Sequence, residues 1–472
     1  MQVRAAWLSD DEKRLIYEEA LALLERVGIR MSGSDSLGLL AETGARVETR
    51  TGIVRFPSDL IDELLRLCPR EIVMAGAGPE HDVVLAEAAP PRFSPSGCAA
   101  FTIDYLTGER RPSTLDDLRK ATVLLDESPE VDIVWTTVSA TDMPLEQREL
   151  LEYYTVLTQS QKHVTLVNCP SSAGPLLRIL EAVCGDLDRF RSRPRISTLF
   201  TVASPFQLDG RLLDLHAELA RHGVPVEIYT VPLAGATAPV TLAGAVTQGV
   251  AEFLGAAAAI QALAPGARLI MGAGSTVLDM HTGQLCYGAL ETGLMSAMYT
   301  EVMHQLRIPL GCPSLATDAR YLGPQNSFEK ALKCFVTTLA GADLQSGIGA
   351  LDSTNSLYLP QIVVDTELVT MVRRLVGAVE VSPETIMREI IEHVGIGGSF
   401  LGEKETRSRV KSGVHFAPTI ATHLPYGAWK ARHKDDADVA VERVERMLAG
   451  SAGREPYLSR DQQRELAAIC LR

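Results

Sequence analysis

Eight times along the chain a short apolar run ends in a burst of small and polar residues: Phe93–Cys98, Val134–Ser139, Val164–Cys169, Ser197–Ser204, Val226–Val231, Leu269–Ser275, Ile308–Cys312 and Asp343–Gly347. Successive runs lie about 30 to 45 residues apart, one strand–helix unit each, the spacing that parallel βα crossovers need. Eight such units close a (β/α)8, or TIM, barrel, and a barrel's chemistry sits where its strands end. The sequence therefore predicts an α/β fold and points to the mouth of the barrel for function.

Three regions are expected. Residues 1–90 read as a mainly helical extension packed on the barrel: Ser9 and Glu12 form a capping box, helices follow at Ser36–Glu42 and Ser58–Leu67, and a strand at Gly52–Phe56 lies between them. Residues 91–376 form the barrel, with a hairpin at Thr102–Arg110 turning at Thr107-Gly108. Residues 377–472 are a helical region, with helices at Ser382–His393, Asp435–Leu448 and Ser459–Leu471.

Composition narrows the function classes. A net charge of −14 without clustered Lys or Arg argues against nucleic acid and suits a cationic ligand. The apolar stretch Ala234–Ala264 carries Gln248, Glu252 and Gln261, so it reads as a buried helix rather than a membrane span. The polar start at Ser9–Arg14 gives no secretory signal, and eight scattered Cys give no disulfide framework; a reducing cytoplasm is expected.

Several segments could carry chemistry. Val231–Gly244 fixes a tight strand-to-helix passage with Gly235 and two prolines, either for close packing or to admit a large group to the backbone. Asp279 and His281 share one strand-end loop. The stretch Thr317–Asn326 places Asp318, Arg320, Tyr321 and Gln325 after the seventh strand, as a pocket lining or a plain surface loop. Cys98, Cys169 and Cys312 lie near three strand ends and could hold zinc, or be small buried residues. No nucleophile elbow, zincin helix or phosphate loop is present.

In order along most of the chain, the segments Ser9–Gly28, Thr51–Pro57, Cys68–Glu71, Gly78–Asp82, Leu106–Pro112, Ala234–Gly244, Leu278–Gly283, Thr317-Asp318 with Gln325, and Tyr358–Asp365 resemble the trimethylamine methyltransferase family. The resemblance implies a TIM barrel that moves a methyl group from a quaternary or tertiary amine to the Co(I) centre of a separate corrinoid protein. The corrinoid (cob(I)alamin, leaving as methylcobalamin) belongs to that partner, and no cofactor is held tightly by this chain. Archaeal trimethylamine enzymes use pyrrolysine; this chain has only the twenty standard residues and resembles the branch without it, whose members act on amines such as glycine betaine.

On that reading Asp318, Gln325 and Gln345 position the substrate. Phe101, Phe206, Tyr229, Tyr321 and Tyr358 are the candidate aromatics for cation–π contact with the ammonium. Asp279 stabilises the cation or braces its loop, and His281, Arg320, Gln325 or the Gly349 N–H is available to a substrate carboxylate. The loop Gln345–Asp352 lacks the His that the resemblance associates with betaine, which counts against glycine betaine. The expected partners are the cognate corrinoid protein and a small methylated amine, with no nucleic acid and no membrane; the chain is expected to be a homo-oligomer. The alternatives are a zinc-dependent corrinoid methyltransferase using the rim cysteines, and a non-catalytic amine- or corrinoid-binding protein.

Overall fold

All eight runs become parallel strands in a computed structural model that describes residues 3–87, 89–167, 172–451 and 453–471. The strands are β1 (Arg92–Pro95), β2 (Ile133–Trp135), β3 (His163–Leu166), β4 (Ile196–Val202), β5 (Val226–Thr230), β6 (Leu269–Ala273), β7 (Leu310–Cys312) and β8 (Leu344–Ile348). From β2 to β8 each pairs with the next, and β8 pairs with β1. The ring closes between β1 and β2: the Asp132 N–H donates to Phe93 O (2.8 Å), Cys98 N–H to Thr136 O (3.1 Å) and Ala99 N–H to Thr137 O (2.9 Å). The fold is a TIM barrel.

Eight helices cover the ring: α1 (Leu115–Glu127), α2 (Leu145–Gln159), α3 (Ala173–Cys184), α4 (Gly210–Arg221), α5 (Leu242–Leu263), α6 (Leu290–Leu306), α7 (Pro324–Ala340) and α8 (Leu359–Val376). Strand residues alternate between the helix layer and the lumen. Val134, Phe200 and Met271 pack outward, while Ile133, Trp135, Leu199, Ile270 and Leu344 meet inside. Those five come from β2, β4, β6 and β8, the alternate-strand layering of a packed barrel interior. A hairpin of Ile72–Met74 with Val83–Leu85 joins the same cluster and plugs the floor.

Helix α5 is long and apolar enough to cross a membrane, yet 83% of its most apolar window is buried in protein. Gly255 explains its close packing: a Cβ there would lie 2.9 Å from Leu24 Cδ2 of the N-terminal helix Asp10–Arg26. That helix starts at the expected Ser9–Glu12 capping box.

The first ninety residues hold more β-structure than their sequence suggests. Ile29–Ser32, Arg46–Glu48 and Ile53–Arg55 form a sheet with Gln207–Asp209 from the barrel. Strands of three or four residues leave little periodicity to read. Beyond α8 the first expected helix breaks at Met387, whose φ of 55° splits it into Pro383–Ile386 and Arg388–Val394. Helices Asp436–Gly450 and Arg460–Cys470 follow.

Candidate active site at the barrel mouth

Two lumen-facing residues of β5 define the site. Glu227 and Tyr229 are two positions apart, so they share the inner face and are separated by about 6–7 Å along the strand. Glycines on the neighbouring strands make room for both. A Cβ on Gly272 would fall 2.1 Å from Tyr229 Cδ2, and one on Gly311 would fall 2.3 Å from Glu227 Oε1. The Tyr229 ring therefore lies over β6, partly exposed to the mouth, with its hydroxyl 3.4 Å from Ser346 Oγ of β8.

Glu227 is 2% exposed, and its Oε1 has no hydrogen-bond partner among the described residues. Burial pushes its carboxyl up to about 8, so it holds its proton at neutral pH. Ser94 Oγ on β1 and Trp135 Nε1 on β2 are likewise buried without partners. Buried polar atoms are normally satisfied. Three orphans on lumen-facing positions mark a cavity built to meet a polar or charged guest.

The mouth is asymmetric. Leu233-Ala234, Thr276–Leu278 and Leu285-Cys286 form a small sheet beyond β5 and β6, and a second sheet of Phe101–Ile103, Arg110–Pro112, Ala350-Leu351 and Ser356-Leu357 lies beyond β1 and β8. At the end of β4 and just past it, Thr201 and Ala203 are exposed. The Ala234–Gly244 segment leaves the first sheet at Ala234 and turns into α5; Gly235 (φ 93°) lets Met280 approach, and Gln248 Nε2 donates to Thr237 O (2.8 Å) and Glu252 Oε1 (2.9 Å).

Of the residues expected at the site, Tyr229 alone lies in the lumen. Gln345 sits on β8 with the opposite phase: it donates to Thr338 Oγ1 (2.7 Å) and accepts from Thr337 Oγ1 (2.7 Å) of α7, turned away from any substrate. Asp318 is a brace, accepting from Gly288 N–H (2.8 Å) and Ser353 Oγ (2.5 Å), which ties the loops after β6, β7 and β8 together. Gln325 is exposed and donates to Glu329 Oε1 (2.8 Å). Gly349 N–H is already bound to Asp365 Oδ2 (2.8 Å).

Asp279 folds its own hairpin, accepting from His281 N–H (2.8 Å) and Thr282 Oγ1 (2.9 Å), while the His281 side chain is in solvent. Phe206 (φ 54°) packs outside the ring against the N-terminal extension. Arg320, Tyr321 and Tyr358 come together in a cavity of about 570 Å³ with Arg110 and Asp352, among the loops that follow β1, β7 and β8; Arg110 lies 3.5 Å over the Phe101 ring. Glu227 was missed because a lone acid inside an apolar run looks like background, although its place between Val226 and Ile228 gave it away as buried.

Two of the three rim cysteines lie in the described residues, and they face different sides of the barrel wall. Cys312 faces the helix layer beside Ser296 and Thr337, with its thiol pushed up to about 12 by burial. Cys98 is at the mouth, and Cys169 lies outside the described residues. No group of three or more His, Cys, Asp or Glu able to hold a metal occurs among the described residues.

The family model for trimethylamine methyltransferase matches residues 2–472. A trimethylamine methyltransferase of Desulfitobacterium hafniense is 29% identical over 86% of this chain and 82% of its own. One from Methanosarcina mazei is 28% identical over 94% and 91%. A glycine betaine methyltransferase of D. hafniense is 24% identical over 94% and 92%. Among solved structures, the monomethylamine methyltransferase of Methanosarcina barkeri superposes with a TM-score of 0.53 at 14% identity, covering 94% of this chain and 88% of that one.

Proposed function

This chain belongs to the trimethylamine methyltransferase family, and on that premise we propose that it takes one methyl group from a quaternary or tertiary methylated amine and delivers it to a corrinoid protein docked over the mouth. The reduced corrinoid, carried by that partner, supplies the nucleophile. The chain's own work is to bind, orient and dry the methyl donor. The C–N bond breaks with its electron pair left on nitrogen, so a quaternary donor leaves as a neutral amine and needs no proton from the protein. That matches a mouth where, among the described residues, Glu227 is the acid on the inner face of β5 and no hydrogen-bonded base meets its Oε1.

The observation that carries this reading is the stacked pair on β5. Tyr229 offers an aromatic face to the ammonium at the mouth. Glu227 lies deeper, where its ionised form balances the cation in a low-dielectric lumen. The Ser94 hydroxyl and Trp135 N–H remain for the rest of the donor. The residues assigned to a substrate carboxylate are engaged elsewhere or in solvent, and a second anion beside Glu227 is unfavourable. The substrate is therefore a methylated amine without a carboxylate near its nitrogen.

The test is a panel of methylated amines incubated with chemically reduced cobalamin, followed by absorbance. Methylation of cobalamin by at least one carboxylate-free amine is expected. Ligand binding without any methylation across the panel would favour a binding protein instead. Zinc at near-stoichiometric level, lost in Cys169→Ser, would favour the metal-dependent alternative. Tyr229→Ala is expected to weaken amine binding roughly 3- to 30-fold, the worth of ~0.5–2 kcal/mol of cation–π contact, with unchanged circular dichroism. Unchanged affinity by calorimetry would remove Tyr229 from the site.

A further inference from the structure

Arginine flanks Pro194 on both sides, at the floor end of the barrel where β4 begins. Proline disfavours helical backbone at the residue before it. The short helix Leu187–Ser192 accordingly stops there, and Arg193 is extended, with φ −137°. The Pro194 carbonyl accepts from the Ala75 N–H (2.9 Å) of the floor hairpin, which fixes the segment in place. In an extended chain, residues two apart point to the same side. Arg193 and Arg195 line one cavity of about 300 Å³, together with Arg189, Cys184, Tyr457 and Gln462.

The charges in this cavity do not balance. Arg193 is matched, since its Nη2 and Nε donate to the Asp82 carboxylate (2.5 and 3.2 Å). Arg195 is 8% exposed, makes no ion pair among the described residues, and has an Nε without a hydrogen-bond partner there. Its Nη2 meets the Ser160 carbonyl at 3.5 Å, the outer limit of a hydrogen bond. Burial pushes the Arg195 guanidinium down from its ordinary value, and the Arg193 guanidinium adds to that push. An arginine in a protein nevertheless keeps its proton. The neighbours offer no counter-charge. Asp126 is taken by Arg454 Nη2 (2.6 Å) and the Tyr457 hydroxyl (3.0 Å), and burial raises the Cys184 thiol, which stays neutral. At the rim the Arg189 side chain is exposed and makes no ion pair among the described residues. Among those residues, no carboxylate lines the cavity.

We infer that this floor cavity is a binding site for a phosphate group, either inorganic phosphate or the phosphate of a small monoester. Two guanidinium charges without a partner match one dianion, and the guanidinium fork fits phosphate oxygens with paired hydrogen bonds. A single carboxylate would leave one of the two charges uncompensated. The volume falls at the lower end of small-ligand pockets, which span about 300–1,000 Å³. Tyr457 and Gln462 come from the C-terminal region, and Gln462 Nε2 donates to Val183 O of α3 (2.8 Å). A bound anion therefore fastens the helix Arg460–Cys470 to the barrel. The cavity is at the opposite end of the barrel from Tyr229, so its ligand is not the methyl donor.

The experiment is calorimetry and thermal melting of the full chain with inorganic phosphate, with glycerol phosphate, and with sodium chloride at matched ionic strength. Saturable phosphate binding is expected, with a melting temperature that rises with phosphate concentration and not with chloride. Arg195→Met is expected to weaken binding roughly 10- to 100-fold, the worth of one hydrogen bond to a charged group. Arg189→Ala, at the exposed rim, is expected to weaken it about 2- to 5-fold, as for an exposed ion pair. Without phosphate, Arg195→Met is expected to melt at or above the wild-type temperature, because it removes an uncompensated buried charge. An arginine with a purely structural role would make that variant melt lower at every phosphate concentration. Tighter binding of glycerol phosphate than of inorganic phosphate identifies an ester as the source; equal or weaker binding identifies the free anion. Arg189→Ala changes an exposed side chain and carries the test should Arg195→Met fail to fold. Absence of saturable binding by both probes overturns the inference. So does binding that both variants leave unchanged, or a stabilisation that chloride reproduces.

Discussion

Glu227→Gln is expected to lower affinity for a quaternary amine about 30-fold at pH 8 and above, and to abolish the pH dependence of binding below it. The size follows from one lost charge–charge contact in a half-screened interior, a net effect of roughly 2 kcal/mol. The pH dependence follows from burial, which raises the carboxyl to about 8. In the free protein below pH 8 the group is neutral. A cation arriving beside it favours the carboxylate, so binding near pH 7 releases a proton. Affinity rises as pH climbs toward about 8 and then levels off. Calorimetry in buffers of different ionisation heat reads the released proton directly; equal heats in all buffers, with equal affinity for the Gln variant, would take Glu227 out of the binding step.

The same group has a signature in stability. Its folded pKa lies above the ordinary carboxyl value, so the folded state keeps a proton that the unfolded chain gives up between about pH 4.5 and 8. Glu227 therefore favours folding less as pH rises through that window. His163 works the other way at lower pH. Burial holds it neutral, down to about 3, so stability is lost as pH falls below the ordinary His value. Thermal melts of the wild type minus those of Glu227→Gln isolate the first slope. A difference that stays flat from pH 5 to 8 would contradict the buried, proton-holding state.

How much of this was legible follows from the geometry of a closed barrel. Strands buried on both faces read as continuous apolar runs, so all eight could be located from Phe93 to Gly347. The same property hides their phase. Gln345 sits at the end of such a run, and nothing in Asp343–Gly347 says which face it takes; Leu344 and Ser346 proved to face the lumen and Gln345 the helices. A one-residue shift of phase exchanges every side chain between the two faces. Tyr229 was found because an aromatic at a strand end is conspicuous. Arg320 and Tyr321 were read on one loop after the seventh strand, but their meeting with Tyr358 in one cavity was not, because how far a loop folds over the mouth depends on braces such as Asp318 and Glu329 that act between loops. Those long-range partners leave no local pattern.

Asp365→Ala is expected to destabilise the protein by roughly 3–5 kcal/mol, the cost of stranding a buried charge. Asp365 on α8 pairs with Lys330 of α7 at 2.7 Å, each side chain 1% exposed. Burial pushes both toward their neutral forms: the carboxyl is raised and the ammonium lowered, and each is the main counterweight to the other's desolvation. The carboxylate also accepts from Gly349 N–H and from Gln361 Nε2 (both 2.8 Å). Removing it leaves Lys330 and two further donors without their acceptor in the interior. A lower urea midpoint at unchanged slope is the expected readout. Replacing both partners, Lys330→Met with Asp365→Leu, is expected to cost much less, because no charge is then left uncompensated. If the single and double variants are equally destabilised, the pair acts through shape alone. If neither moves the midpoint, the anchor is elsewhere. Gly349 follows β8, whose Ser346 meets Tyr229, so the Ala variant is also expected to loosen the mouth; weaker amine binding in Asp365→Ala than in the double variant would show that this buried pair holds the site in place as well as the fold.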